Sequence, residues 1–338
     1  MIETAAALLR EAVEAGRIPG GALGVQTADG RVETAVFGLA QKVPTERPAD
    51  ARTVWDLASL TKVLFTTRAV LALAEAGRLD LDDPLERHLP DLAQVGGSPV
   101  RGLSLRSLLA HTSGLPAWAP LYTWGGPPAT LAARVLQHPW ELGRPVYSDL
   151  NFILLGLVVQ RVTGLPLAAQ PLDPGLTLRP DPALAAATEQ DPWRGRVLVG
   201  EVHDENAFAF GGIAGHAGLF GTLAGVLAQI RAILSGTWLS RAALDEMARP
   251  QSETRTLGWE RRHPNWAGGS LCSPSTIGHT GFTGTGLWID RERGYGWTLL
   301  TNRVHPSRHV ETGIMALRRA VGNAVAAAVT GAGPAGKP

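Results

Sequence analysis

Trp55-Asp56-Leu57-Ala58-Ser59-Leu60-Thr61-Lys62-Val63-Leu64-Phe65 is the stretch on which the reading of this chain turns. A strand-like or loop segment runs there into a helix. From Val63 to Ala76 the chain is nearly all apolar or small, without Pro or Gly, and it stops at Gly77. A helix that is apolar most of the way round is a buried one. Residues i and i+3 share a helix face, so Ser59 and Lys62 are expected to point the same way, one turn apart, at the helix start.

That placement has a chemical use. A serine hydroxyl is a poor nucleophile until a neighbouring base takes its proton. A lysine can be that base only when neutral, and burial and the positive end of the helix dipole both disfavour its charge. The free N–H groups of the first turn suit a developing oxyanion. Ser-x-x-Lys fixes only two positions, however, and a plain N-cap is the ordinary alternative for Ser59.

The bulk properties narrow the field. A chain of 338 residues has room for one large domain or two lobes. With 45% hydrophobic and 18% charged residues it suits a folded, enzyme-sized protein. A net charge of +1 gives no electrostatic reason to expect nucleic acid or an anionic membrane as partner. The single cysteine, Cys272, can form no internal disulfide and reads as a small apolar filler. The N-terminus lacks the basic start and apolar run of a secretion signal, with Glu3, Glu11 and Glu14 interrupting it. No stretch reaches the roughly 18 uninterrupted apolar residues of a membrane span. The expectation is a cytoplasmic protein, or a periplasmic or secreted one whose signal has been removed. Oligomeric state is not legible.

Along the chain, Thr4 to Ala15 has helical periodicity, and Pro19-Gly20-Gly21 reads as a break. Ala22 to Gln26 and Val32 to Phe37 read as strands around the turn Ala28-Asp29-Gly30, and Gly38 to Arg52 as loop. Helices are expected after Pro84, from a Ser104 cap to Ala110, over Thr130 to Gln137, over Asn151 to Gly164 with Ser148 or Asp149 as cap, over Leu223 to Leu234 and over Trp238 to Met247. Pro116 to Pro128 is a long loop whose Trp118, Tyr122 and Trp124 either line a cleft or simply pack. Leu165 to Arg194 reads as a surface wrap. Gly286 to Asp290 and Gly296 to Thr301 read as paired antiparallel strands, Val310 to Val329 as a closing helix, and the Gly/Pro/Lys tail as frayed. The order implies an α/β (α+β) fold: an antiparallel sheet built from both chain ends and flanked by helices, with a helical lobe inserted. Residues 1–60 and 200–338 would form the sheet lobe and 61–199 the helical lobe, with the site between them.

Two further segments carry chemistry. Tyr147-Ser148-Asp149 precedes the helix at 151, and a tyrosine near a charged lysine can be held as phenolate. Gly278-His279-Thr280-Gly281-Phe282-Thr283-Gly284 has the build of an edge strand over which a substrate could lie as an added strand.

Ser59-x-x-Lys62, Tyr147-x-Asp149 and His279-Thr280-Gly281, in that order, resemble the motifs of the class C β-lactamase and DD-peptidase (penicillin-binding protein) superfamily of serine hydrolases, whose fold is β-lactamase/transpeptidase-like. His111-Thr112-Ser113-Gly114-Leu115 and Gly215 to Thr222 are similar to family sequence as well, so the likeness spans roughly residues 5–325. The resemblance implies Ser59 as acylated nucleophile and Lys62 with Tyr147 as the general-base pair. It implies an oxyanion hole from the backbone N–H groups of Ser59 and Phe282. His279, Thr280 and Gly281 would bind the substrate, with Trp118 and Tyr122 as further lining. It implies no metal and no cofactor, and a small-molecule or short-peptide substrate, β-lactams among the candidates.

Two positions depart from the family pattern. Asp149 stands where asparagine is usual; a carboxylate cannot donate as an amide does, and its charge should hold Lys62 protonated and shift the base role toward Tyr147. His279 stands where many β-lactamases have lysine, as in family peptidases, which weakens the constant charge for gripping a carboxylate. The expected activity is therefore of DD-carboxypeptidase or esterase type. Alternatives are a true β-lactamase and a catalytically impaired penicillin-binding or sensory protein. No Gly-x-Ser-x-Gly elbow, His-Glu-x-x-His pair or Gly-Lys-Ser/Thr phosphate loop is present. His203 and His216 read as structural residues near the cleft.

Overall fold

The computed structural model describes residues 2–94 and 98–331; the tail beyond Gly331 lies outside them. The chain opens with helix α1 (Glu3–Glu14) and the strands β1 (Gly20–Thr27), β2 (Val32–Gln41), β3 (Arg47–Pro48) and β4 (Val54–Asp56). A helical run follows: a π-helical stretch Lys62–Thr67 continuing into α2 (Arg68–Glu75), then α3 (Leu85–His88), α4 (Leu105–Leu109), α5 (Pro128–Gln137) and α6 (Asp149–Thr163). Next come β5 (Leu176–Thr177), β6 (Ala187–Asp191), β7 (Arg196–Val199), α7 (Glu205–Ala209), β8 (Phe220–Thr222), α8 (Leu223–Ser235) and α9 (Arg241–Ala248). The chain closes with β9 (Glu260–Arg261), β10 (Ile277–Thr280), β11 (Gly286–Asp290), β12 (Tyr295–Thr301) and α10 (Ile314–Gly331).

Seven strands form one antiparallel sheet in the order β3-β2-β1-β12-β11-β10-β9. The join between the chain ends is β1 on β12, in register from Gly21 opposite Thr301 to Thr27 opposite Tyr295. Side chains alternate across a strand. Leu23, Val25, Tyr295, Trp297 and Leu299 therefore pack with α1 and α10 on one face. Ala22, Leu287, Ile289 and Leu300 pack on the other with Leu223, Val226, Leu227 and Ile230 of α8. Helices cover both faces, so β1 is buried along its whole length. Truncating such a side chain, as in Leu23→Ala, costs about 2–5 kcal/mol.

Pro19-Gly20-Gly21, read as a break, belongs to the sheet from Gly20 onward. The glycine serves close approach and not a turn, because a Cβ on Gly20 would stand 2.4 Å from the Leu39 carbonyl oxygen. Gly38 to Arg52, read as loop, holds the end of β2 and the short β3.

The inserted helical lobe is built around α6, whose Leu150 to Leu155, Val158 and Val159 are buried, and which ends at Gly164 with φ +75°. Ser104 caps α4 as expected, accepting from the Ser107 amide at 3.1 Å. Ser148 flanks α6 but does not cap it through its side chain, which donates to the Pro116 carbonyl instead at 2.6 Å. Leu165 to Arg194 is more than a surface wrap. β5 pairs with β8, which pairs with β4 beneath the Ser59 turn, and β6 pairs with β7. Its buried positions include Thr188, Glu189 and Asp191, held by hydrogen bonds and ion pairs, so no apolar periodicity advertised them. No described helix is long and apolar enough to cross a membrane.

Candidate active site

The Ser59 turn is shaped by a buried carboxylate. Asp56 Oδ1 accepts from the Ala58 amide at 2.8 Å and Asp56 Oδ2 from the His203 amide at 2.7 Å. Ala58 has φ +48°, a left-handed conformation costly for a residue with a Cβ and favoured here by that clamp. The helix begins at Leu60 and takes a π-helical course from Lys62 to Thr67, a widening that recurs at functional sites. Gly215 and His216 press on this stretch: Thr66 Oγ1 donates to the Gly215 carbonyl at 2.6 Å, and Lys62 Nζ to the His216 carbonyl at 3.2 Å.

Lys62 is fully buried, and its Nζ lies 2.8 Å from Ser59 Oγ and 2.7 Å from Asp149 Oδ1. Ser59 Oγ thus meets the lysine and not a first-turn amide, so the simple capping role does not describe it. Burial alone would push the Lys62 ammonium down, but Asp149 and then Tyr147 outweigh it and leave the amine above its ordinary value. The direction is the one expected from a carboxylate at position 149, and the neutralising effect of burial does not prevail.

The Tyr147 ring centre lies 5.0 Å from Lys62 Nζ. Burial pushes its phenol up, and the opposing pull of Lys62 and of hydrogen bonding to Lys62 and Ser59 does not offset it. The phenolate expected beside a lysine is not the resting form. His111, a residue with φ +57°, holds this segment: its Nδ1 accepts from the Ser148 amide at 3.1 Å and its ring packs 4.5 Å from that of Tyr147. The Asp149 amide donates to the Ala117 carbonyl at 2.9 Å, which ties α6 to the 116–128 loop.

The third segment is stitched to the first. Thr283 Oγ1 donates to the Asp56 carbonyl at 2.7 Å and Thr285 Oγ1 to the Leu57 carbonyl at 3.1 Å. A Cβ on Gly281 would stand 2.1 Å from Thr285 Oγ1 and 2.6 Å from the Leu57 oxygen, so glycine is what lets this strand end lie against the Ser59 turn. Arg318 of α10, buried, donates to the Gly281 and Thr285 carbonyls at 2.9 and 2.6 Å. β10 is second from the sheet edge, but β9 pairs only with Ile277 and Gly278, which leaves His279 and Thr280 open on that side. Among the described residues no acceptor meets the backbone N–H of Ser59 or of Phe282. His279 is buried; burial and then Lys62 and Arg255 push its imidazole well below its usual value, so it is neutral.

One open cleft of about 1300 Å³ takes in Ser59, Tyr147, Asp149, His279, Thr280, Gly281 and Phe282, together with Trp118 and Tyr122. Trp118 is 48% exposed, and its ring lies 6.5 Å from that of Tyr122. Trp124 turns away and packs against Trp140 and His138. His203 is buried against Glu189 at 2.9 Å, and His216 against Asp204 at 2.8 Å. Asp149, Asp204 and His216 bring ligand-type atoms within 4.8 Å of one another. The cation of this group is the Lys62 ammonium, which pairs with Asp149 and whose charge also reaches Asp204. Sequence reasoning missed Asp56, Thr283, Thr285, Arg255 and Arg318. The small-residue run Thr283-Gly284-Thr285 was the only local sign of the stitching.

A family model described as Beta-lactamase matches residues 5–321. An N-acetylmuramyl-L-alanine amidase of Bacillus subtilis (strain 168) is 31% identical over 84% of this chain and 77% of its own. A putative D-alanyl-D-alanine carboxypeptidase of Escherichia coli (strain K12) is 32% identical over 80% of this chain and 75% of its own. A solved class C beta-lactamase superposes with a TM-score of 0.74 at 19% identity, covering 99% of this chain and 97% of that one.

Proposed function

The chain belongs to the beta-lactamase family as a serine hydrolase of the class C β-lactamase and DD-peptidase superfamily, and from that premise we propose that it is a carboxypeptidase or esterase working through an acyl-enzyme on Ser59. The observation that carries this is the 2.8 Å contact of Lys62 Nζ with Ser59 Oγ, inside a cleft where two backbone amides are free. Ser59 Oγ adds to the carbonyl of an ester or amide, and its proton goes to the Lys62–Tyr147 pair. The oxyanion rests on the amides of Ser59 and Phe282. Collapse expels the leaving alcohol or amine, which takes the proton. Water then adds to the acyl-enzyme, gives up a proton to the same pair, and frees the acid and Ser59. At rest both members of the pair hold their protons, because Asp149 retains the Lys62 charge and burial retains the Tyr147 proton. The base form is the minority species at neutral pH, and turnover should climb on the alkaline side.

The relatives described as amidase and putative carboxypeptidase support amide or peptide substrates. Neutral His279 offers no fixed charge for a substrate carboxylate beside Thr280, which favours an uncharged ester over a penicillin. Steady-state comparison of a peptide ending in D-alanyl-D-alanine, a p-nitrophenyl ester and a penicillin tests the reading. The expected order of kcat/KM places the ester and peptide above the penicillin, with Ser59→Ala inactive on all three. Fast penicillin turnover would establish the β-lactamase alternative, and no turnover with stable acylation would establish the penicillin-binding one.

A further inference from the structure

Arg318 of α10 is a buried cation without a counter-ion. It is 4% exposed. Its Nη2 donates to the Gly281 carbonyl at 2.9 Å and to the Thr285 carbonyl at 2.6 Å, and its Nη1 meets the Met315 sulfur at 3.5 Å. Its Nε is buried without a partner. Among the described residues no carboxylate pairs with it. The acid whose charge reaches it, Glu260, is engaged with His263 at 2.7 Å. Taking a charge out of water is costly, so a buried guanidinium ordinarily comes with a carboxylate. Two carbonyls take up its protons but leave its charge uncancelled.

The carbonyls it meets close the turn between β10 and β11. The Gly281 amide donates to the Thr285 carbonyl at 2.8 Å, and the Gly284 amide to the Gly281 carbonyl at 3.1 Å. The Gly281 carbonyl belongs to the same peptide unit as the Phe282 N–H. That unit is trans, so its C=O and N–H point opposite ways. Arg318 therefore stands behind the Phe282 amide, and the N–H is directed away from the cation. No acceptor within the described residues meets that N–H.

We propose that Arg318 is a positioning residue of the oxyanion hole: its charge, hydrogen-bonded to the Gly281 carbonyl, fixes and polarises the peptide whose Phe282 N–H receives the developing oxyanion. A charge-assisted bond to a carbonyl draws electron density from the amide nitrogen, and linked hydrogen bonds strengthen one another, so the N–H becomes a better donor. In a buried setting the uncancelled charge is also screened far less than in water. Both effects grow as negative charge gathers on the substrate oxygen, so they lower the barrier more than they tighten substrate binding. The inference rests on the acyl-enzyme reading of Ser59, since only that chemistry places an oxyanion at Phe282.

The test compares native protein with Arg318→Gln, which can still donate hydrogen bonds but carries no charge, and with Arg318→Lys, which keeps the charge. In single-turnover acylation by p-nitrophenyl acetate, Arg318→Gln should lower the maximal rate by at least about tenfold, a fraction of what a whole oxyanion donor supplies. The half-saturating ester concentration should stay in place. Acetamidomethylboronic acid gives the second readout. Ser59 Oγ bonds to boron, its proton leaves through the Lys62–Tyr147 pair, and the tetrahedral boronate carries the negative charge of the intermediate. Its affinity should fall by the same factor as the acylation rate in Arg318→Gln, and Arg318→Lys should recover most of both. Native acylation by Arg318→Gln, a slower rate with boronate affinity unchanged, or a loss in Arg318→Lys as large as in Arg318→Gln would each overturn the proposal. The lysine variant decides the matter alone if the glutamine variant does not fold. A native protein that the ester does not acylate on Ser59 would remove the hydrolase reading and this inference with it, whereas native acylation matched by Arg318→Gln would remove this inference only.

Discussion

Asp149 favours the protonated form of both titratable groups it faces, Lys62 and Tyr147. Its carboxylate lies 2.7 Å from Lys62 Nζ and acts to raise both Lys62 and Tyr147. Asp149→Asn removes a negative charge that favours the protonated form of each. Whichever of the two is the base, its pKa must fall, and the rising limb of the pH–rate profile must move toward lower pH. A shift of about one unit corresponds to about 1.4 kcal/mol of lost interaction. The check is kcat/KM for an ester from pH 5 to 10; a limb that stays in place, or moves toward higher pH, would mean that Asp149 does not tune the base. Ser59, Lys62, Tyr147 and His279 were legible because each stands in a short local pattern. Arg255 was not, because it lies in an irregular turn; the His111 segment stood out as family-like sequence, but its contacts with Tyr147 and Ser148 are ones that spacing cannot reveal.

The Ser59 turn and the β10–β11 connection are hydrogen-bonded into one element. Asp56 and Leu57 offer their carbonyls to Thr283 and Thr285, and Gly281 permits the contact. Gly281→Ala would place a methyl group into Thr285 Oγ1 and the Leu57 oxygen, forcing the two segments apart. A misplacement of about 1 Å costs about 10²-fold in rate. Acylation by an ester should fall by about that factor while the thermal transition moves only a few degrees. Acylation at the native rate would show that the two segments are not coupled. The sequence displayed the strand and its glycines but not what they approach, because the partner lies 227 residues away in the Thr283 contact with Asp56.

At the scale of the molecule, Glu189 fastens β6 to the segment after β12. It accepts from His203 Nε2 at 2.9 Å, from the Arg308 amide at 2.9 Å and from Arg308 Nε at 2.5 Å. Burial alone would raise its carboxyl, but the His203 and Arg308 bonds outweigh it and bring it down to about 2. A depressed carboxylate stabilises the fold above its unfolded pKa, near 4.3, and that contribution is lost as pH falls toward about 2. Glu189→Gln should cost about 3 kcal/mol in urea unfolding at pH 7, and the gap from native protein should shrink between pH 4 and 2. A gap independent of pH would mean that the charge contributes nothing. The sheet with its inserted helical lobe was readable from periodicity at both chain ends. Leu165 to Arg194 was not, since buried ion pairs, the two-residue β5 and the five-residue β6 carry its structure.

The most direct measurement is intact-protein mass spectrometry with peptide mapping after brief exposure to a short-chain activated ester and to a penicillin. An acyl adduct on Ser59 is expected, short-lived with the ester and slower to leave with the penicillin, and absent from Ser59→Ala. An adduct on another residue, or ester turnover that survives in Ser59→Ala, would contradict it.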